Sequence, residues 1–392
     1  MNTSENTAFN QNRADNAEAA VRLVIAGAGT GGHLFPGIAV AESVMQKAPG
    51  SRVLFVTTGK PIEQTVLSDC PYETAKISAA GIKGMGLWRK CGSVFLLQKG
   101  FAQSMGILGR FAPHAVLGMG GYSSAPVVMA AFLRGIPRFI HEQNRLAGMT
   151  NRWLARVANR VFVSFADTRI GSKQKTRFTG NPVREQIRAC AAARRQRPES
   201  RDENRRFTIL VLGGSQGAHS INQAMISALW HMADRENCRV IHQTGTRDEA
   251  EVRQAYEQMG VSATVSAFFR DMAALYEASD LSVCRAGATT VAEIAAVGLP
   301  AIFIPYPYAA DNHQVANAEG LTSAGAAEII MESDLSGPGL ADCLAAYQKD
   351  AGVLEKARSA AEAASRPEAA ARIAEEIIAA AGLGQNPTVK KQ

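Results

Sequence analysis

At 392 residues the chain is too long for one ordinary core and reads as two domains. Its 46% hydrophobic and 20% charged content is that of a soluble globular protein. A formal charge of +7, from 42 Lys and Arg against 35 Asp and Glu, favours anionic partners. No basic base-reading helix and no interleaved aromatics accompany it, so lipid or phosphate is expected and nucleic acid is not.

The first 20 residues are polar, of mixed charge and without an apolar core, and read as a disordered tail rather than a signal peptide. Val21–Ala26 is a short β-branched run closed by glycines, the pattern of a buried strand and its turn. A helix is expected from Pro36 to about Lys47, then a strand over Val53–Val56. Further strands are expected at Ala115–Leu117, Arg138–Ile140 and Val161–Val163, with helical crossovers that imply a parallel, doubly wound sheet. The longest apolar run, Ala125–Leu133, is too short to span a bilayer.

The stretch 190–206 carries Arg194, Arg195, Arg197, Arg201, Arg205 and Arg206 and reads as a linker or exposed insertion. The opening theme then returns: Phe207–Leu212 runs into Gly213-Gly214-Ser215-Gln216-Gly217, and a helix begins near Ser220. Arg239–His242, Ala263–Phe268, Leu281–Val283 and Ala301–Ile304 supply a second sheet, and Ser359–Ala381 is helical by propensity. The expected division is a tail (1–20), a first Rossmann-like domain (21–189), the basic linker (190–206), a second Rossmann-like domain (207–365), a C-terminal helix (366–382) and a tail (383–392).

Cys70, Cys91, Cys190, Cys238, Cys284 and Cys343 are scattered, with no CxxC, which fits a reducing compartment and neither a disulfide framework nor structural zinc. The protein is expected in the cytoplasm or on the cytoplasmic side of a membrane.

Gly27-Ala28-Gly29-Thr30-Gly31-Gly32 satisfies GxGxxG between a strand and a helix, where glycines and a helix N-terminus can hold a diphosphate. The second strand ends Thr57-Thr58-Gly59-Lys60 without the carboxylate that would grip a dinucleotide ribose, which argues against NAD. The Gly213–Gly217 turn lacks a P-loop lysine, which argues against ATP hydrolysis. Either turn alone could be only a tight turn. Two of them suggest two pyrophosphate-bearing ligands.

Six short motifs follow one another in order: Gly29-Thr30-Gly31-Gly32-His33 with Pro36-Gly37; Gly118-Met119-Gly120-Gly121-Tyr122; His141-Glu142-Gln143-Asn144; Gly180-Asn181-Pro182-Val183-Arg184; Gly213–Ala218; and Cys284-Arg285-Ala286-Gly287-Ala288. Together they resemble the MurG family of bacterial cell-wall glycosyltransferases, over residues 21 to 380 apart from the Arg-rich linker. The resemblance implies a GT-B fold, two Rossmann-like doubly wound parallel-sheet domains facing a cleft, with the C-terminal helix returning to the first domain. It implies inverting transfer of N-acetylglucosamine from UDP-N-acetylglucosamine to the 4-hydroxyl of the muramyl sugar of lipid I. The product would be lipid II, for peptidoglycan synthesis and so for cell shape and division. It implies no metal and no cofactor, an anionic inner-membrane surface as partner, and proteins of the cell-wall synthesis machinery beside it.

The same resemblance assigns residues. His33 would contact the acceptor and act as general base, a role an imidazole pKa near 6.5 suits; the alternative is a histidine that only bonds phosphate or caps the helix. Thr30, Gly31 and Gly32 would bind the acceptor diphosphate and reach the donor, with Tyr122 on the acceptor side and Asn144 on the donor side. Arg184 would neutralise the departing UDP, and Ser215 would bond the same diphosphate. Glu293 would bind the ribose, although Thr290-Val291-Ala292-Glu293 also reads as a capping box. Ala288, Thr289 and Thr290 would present helix-start donors to the phosphates, Phe269 would read uracil through its backbone with Met272 nearby, and Gln314 would bond the sugar. His313 stands where some family members carry a first glutamine. His141 and Glu142 are adjacent on a strand end and read as structural.

Leu87, Trp88 and Phe95 with Arg89 and Lys90 suit an anionic leaflet, or else form a partly buried helix with a basic face. A UDP-sugar epimerase on the same architecture, a sibling transferase acting on another lipid, and a non-enzymatic sugar-nucleotide sensor are the competing readings.

Overall fold

In the computed structural model, which describes residues 20–27, 29, 31–79, 87–195, 206–214 and 216–382, the chain divides into two α/β units. One holds the residues up to Arg184 and those from Glu368 onward; the other holds Glu185–Pro367. The first sheet comprises β1 (Arg22–Gly27), β2 (Arg52–Thr57), β3 (Glu73–Lys76), β4 (Ala115–Gly120), β5 (Arg138–Glu142), β6 (Arg160–Val163) and β7 (Thr176–Phe178). Its order is β3-β2-β1-β4-β5-β6-β7, with every neighbouring pair parallel.

The apolar runs are continuous because both faces of this sheet are covered. Leu23 and Ile25 point into one core with Val53, Phe55 and Leu117, while Val24 and Ala26 point into the other with Leu54, Val116 and Ile140. That is the period-2 alternation of a strand. The C-terminal helix Ala369–Ala380 closes the first of these cores, burying Ile373, Ala374 and Ile377 beside the Gly31–Lys47 helix. Each fully buried isoleucine contributes roughly 1.5–3 kcal/mol. Lys47–Glu375 at 2.8 Å and Arg160–Glu376 at 3.6 Å flank the contact.

The second sheet comprises β8 (Phe207–Leu212), β9 (Cys238–Gln243), β10 (Ser262–Ser266), β11 (Leu281–Cys284), β12 (Ala301–Phe303) and β13 (Ala327–Ile329). Its order is β10-β9-β8-β11-β12-β13, again all parallel. Its core gathers Ile209, Val211, Ile221, Met225, Val240, Tyr256, Val283 and Ile302.

Several expectations are corrected. The first helix begins at Gly31, not Pro36, and the proline lies inside it. β10 stops at Ser266, two residues short of the expected Phe268. The helical tail is two helices, Ala351–Ala364 and Ala369–Ala380, broken around Pro367 where the chain passes from one unit to the other. Cys190–Arg195 is the end of the helix Glu185–Arg195, not linker, and the unit boundary lies at Arg184/Glu185 rather than at the expected 189. Ile187, Cys190, Ala191 and Arg194 fall at helical spacing on its buried face. Arg194 is buried because its guanidinium satisfies the carbonyls of Val297 at 3.0 Å and Ser279 at 2.7 Å, at the ends of two neighbouring helices. The tails, residues 196–205, Thr30 and Ser215 lie outside the described residues. So do the side chains of Leu87, Trp88, Arg89, Lys90 and Phe95, whose backbone belongs to the helix Leu87–Phe111. No helix among the described residues is long and apolar enough to cross a membrane.

Candidate active site

Open parallel sheets bind ligands beyond the carboxyl ends of their strands. In the first unit that rim carries the turn after β1, Tyr122 after β4 and Asn144 after β5. Because the helix starts at Gly31, His33 stands in its first turn, half-buried. Its ring lies against Gly120, whose φ of +94° belongs to the left-handed region; a Cβ there would sit 3.3 Å from the ring's Cε1. His33 Nδ1 is 3.1 Å from Gln143 Oε1. Gln143 Nε2 donates to the Met119 carbonyl at 2.9 Å and stands 3.0 Å from His141 Nδ1. His141 Nε2 is 3.2 Å from the Gly180 carbonyl.

Burial lowers the pKa of His33, an effect partly offset by the Glu142 charge, the Gln143 hydrogen bond and the Met119 carbonyl. Burial also pushes His141 down to about 4. The His141 ring is therefore neutral at pH 7, and burial shifts His33 toward its neutral form as well.

Glu142 is buried and fully engaged. It accepts from the backbone N–H of Asn144 and of Gly148, each at 3.0 Å, and from the Asn151 amide at 2.9 Å. It shapes the loop that carries Asn144, and it faces different partners from His141, as neighbours on a strand do.

Tyr122 is 45% exposed, with the Lys60 ammonium 5.9 Å from its ring centroid. Lys60 Nζ would also meet a Cβ on Gly29 at 3.6 Å, so a cation stands over the first glycine turn. Buried Glu63 fixes that lysine's loop by accepting the N–H groups of Thr58, Gly59 and Lys60 at 3.0, 2.7 and 3.0 Å. The buried Arg184 lays its guanidinium 4.1 Å from the Phe35 ring, two residues along the same helix from His33.

In the second unit the rim carries Phe269 after β10, Ala288–Thr290 after β11 and Gln314 after β12. The helix Ala288–Val297 has Gly287 as its N-cap, with no side-chain cap. Thr290 is thus inside the helix and Glu293 one turn deeper, so the capping-box reading fails. Glu293 is buried, and its Oε2 accepts from the Tyr276 hydroxyl at 3.0 Å. Met272 opens the helix Met272–Ala278 that bears Tyr276.

The Phe269 N–H donates to Gln243 Oε1 at 3.0 Å, and Gln243 Nε2 donates to the Gly214 carbonyl at 3.0 Å. One side chain at the end of β9 therefore ties the second glycine turn to Phe269. Gln314 Oε1 accepts the Tyr306 N–H at 2.9 Å, which leaves its NH2 end for other partners. Asp311 and Asn312, at φ +56° and +53°, precede it in consecutive left-handed conformations, costing roughly 1–2 kcal/mol each.

The N-terminal domain of glycosyltransferase family 28 matches residues 23–163, and the C-terminal domain of the same family matches residues 208–374. A Geobacter metallireducens protein named UDP-N-acetylglucosamine–N-acetylmuramyl-(pentapeptide) pyrophosphoryl-undecaprenol N-acetylglucosamine transferase is 48% identical over 360 residues, 91% of this chain and 98% of that relative. A crystal structure of Acinetobacter baumannii MurG superposes with a TM-score of 0.71 at 31% identity, over 91% of this chain and 99% of that one. The chain belongs to the MurG family of glycosyltransferases. Its two parallel-sheet units are those of the GT-B fold. A UDP-GlcNAc 2-epimerase from Neisseria meningitidis, bound to UDP-GlcNAc, shares that fold with a TM-score of 0.63 over 91% of this chain and 99% of that one. Its identity is 14%, which speaks to fold and not to reaction.

Among the residues expected from the MurG motifs, the structure gathers His33 with Gln143 and His141, and sets Arg184 against Phe35. It gathers Glu293 with Tyr276, and Phe269 with Gln243. Gln143, Lys60, Gln243 and Tyr276 had no assigned role in the sequence. For Gln243 and Lys60 a signal existed: each is polar and sits at or just past a strand's carboxyl end. Tyr276 carried none, because its partner is seventeen residues away and the pairing is tertiary.

Proposed function

We propose that this protein transfers N-acetylglucosamine from UDP-N-acetylglucosamine to the 4-hydroxyl of the muramyl sugar of lipid I, forming lipid II with inversion at the anomeric carbon. The observation that carries this reading is 48% identity over 98% of a relative whose name describes that transfer.

The reaction is a single displacement. The acceptor oxygen bonds to C1, the bond from C1 to the β-phosphate oxygen breaks, and UDP leaves with the electron pair. The hydroxyl proton goes to His33, whose neutral, proton-accepting form burial favours. Arg184, the uncapped start of the Ala288–Val297 helix and Ser215 would take the growing charge on the diphosphate. Glu293, steadied by Tyr276, would accept from the ribose hydroxyls. Since the Phe269 N–H is held by Gln243, its carbonyl is the backbone group for the uracil N3–H. Gln314 would offer its NH2 to the sugar, and Lys60 with Thr30, Gly31 and Gly32 would neutralise the lipid-linked diphosphate.

We place the enzyme at the cytoplasmic face of the inner membrane. Supporting that, Leu133, Met149 and Trp153 are exposed, and the Arg156 guanidinium stacks 4.7 Å from the Trp153 ring. NMR of the product made from UDP-N-acetylglucosamine and a short-chain lipid I analogue tests the proposal. A β-linked disaccharide is expected; an α-linked product or a free epimerised sugar would overturn it.

A further inference from the structure

We propose that Gln143 is a positioning residue that fixes the tautomer of His33, backed by His141. The proposal rests on the reading of His33 as base. Two backbone carbonyls anchor the pattern, because a carbonyl can only accept.

The Gly180 carbonyl lies 3.2 Å from His141 Nε2, so that nitrogen carries the proton. In a neutral ring His141 Nδ1 is then an acceptor. Gln143 has one end 2.9 Å from the Met119 carbonyl and 3.0 Å from that Nδ1. These acceptors, with the His141 carbonyl a third at 3.3 Å, require that end to be the NH2 group. The opposite end, 3.1 Å from His33 Nδ1, is therefore the amide oxygen. An oxygen there requires His33 to hold its proton on Nδ1. The lone pair is left on Nε2, free to take the acceptor's proton.

The direction of every bond in the chain from Gly180 through His141 and Gln143 to His33 is thus set by two carbonyls. His141 and Gln143 are both buried, so water does not scramble the pattern. The wrong tautomer would put a proton on Nε2 and present the substrate hydroxyl with a donor, and tautomer errors of this kind disable histidine bases in hydrolytic triads.

Two-bond 1H–15N correlation spectra of 15N-histidine-labelled protein read the tautomer directly, with His33 assigned by the signal lost in His33→Ala. In the wild type we expect protonated Nδ1 and bare Nε2 at His33. In Gln143→Met, which keeps the length and removes the acceptor, the pattern should become mixed or reversed. In that variant kcat should fall by about tenfold to a hundredfold, while the KM for UDP-N-acetylglucosamine stays within about twofold, since removing an interaction made only in the transition state leaves ground-state binding alone.

A wild-type His33 protonated on Nε2 overturns the proposal with no variant needed, and so does a tautomer unchanged in Gln143→Met. A tautomer that shifts without loss of kcat overturns the catalytic link, and it does so by showing that His33 is not the base. That failure of the underlying reading is distinct from a failure of the geometry.

Discussion

Removing a single hydroxyl from Tyr276 probes the proposed donor site apart from the rest of the fold. Tyr276→Phe keeps a ring that is 1% exposed and deletes the 3.0 Å bond to Glu293. A hydrogen bond to a charged acceptor contributes roughly 1.5–3 kcal/mol. We expect the lower end, because a freed carboxylate can find other donors. About 1.4 kcal/mol corresponds to a tenfold change in affinity, so the KM for UDP-N-acetylglucosamine should rise about tenfold. The ribose is remote from the anomeric carbon, so kcat should hold. Glu293→Gln keeps one acceptor oxygen and loses the charge, and should move the donor KM at least as far. Steady-state kinetics against donor at saturating lipid I analogue gives both numbers. A Tyr276→Phe enzyme with donor KM within about twofold of wild type would refute the role given to this pair.

Three further outcomes are expected. His141 and His242, lowered by burial from 6.5 to about 4 and about 3, stay neutral in the fold while the unfolded chain takes up protons. Their stabilisation is present above pH 6.5 and lost as pH falls toward those values, about 2 kcal/mol each between pH 7 and 5. Urea unfolding across that range should show the slope, and His242→Gln should remove its share; an unchanged slope would contradict the assignment. Gly217→Ala should destabilise the second unit by about 2 kcal/mol or more, because φ is +76° and the new Cβ would meet the Thr244 carbonyl oxygen, a clash thermal denaturation would register. Replacing Leu87, Trp88 and Phe95 together with serine should weaken flotation with anionic liposomes while sparing turnover of a soluble acceptor; undiminished flotation would remove that segment from membrane contact.

Much of the fold is legible in the amino-acid sequence. Buried strands such as Arg22–Gly27 and Phe207–Leu212 are continuous apolar runs followed by glycines, which marks out the two α/β units and their ligand-binding rims. The strands β3, β7 and β13 carry no such mark. They are three or four residues long, sit at or toward sheet edges and are partly polar, as in Glu73–Lys76. Arg194 misleads because arginine normally marks surface, and only the neighbouring helix ends, more than eighty residues away in sequence, explain its burial. Glu293 misleads in the other direction. Thr290 and Glu293 have capping-box spacing, but the helix starts at Ala288, after a glycine, where no side chain announces it.

Acceptor dependence separates a transferase from an epimerase. UDP release from UDP-N-acetylglucosamine should be measured with and without a short-chain lipid I analogue, for wild type and His33→Ala. Release is expected only when the analogue is present, with one disaccharide for each UDP and a loss in kcat of about 10²–10⁴ in His33→Ala. Release of UDP, or interconversion of the sugar, with no acceptor in the tube would contradict the proposed transfer.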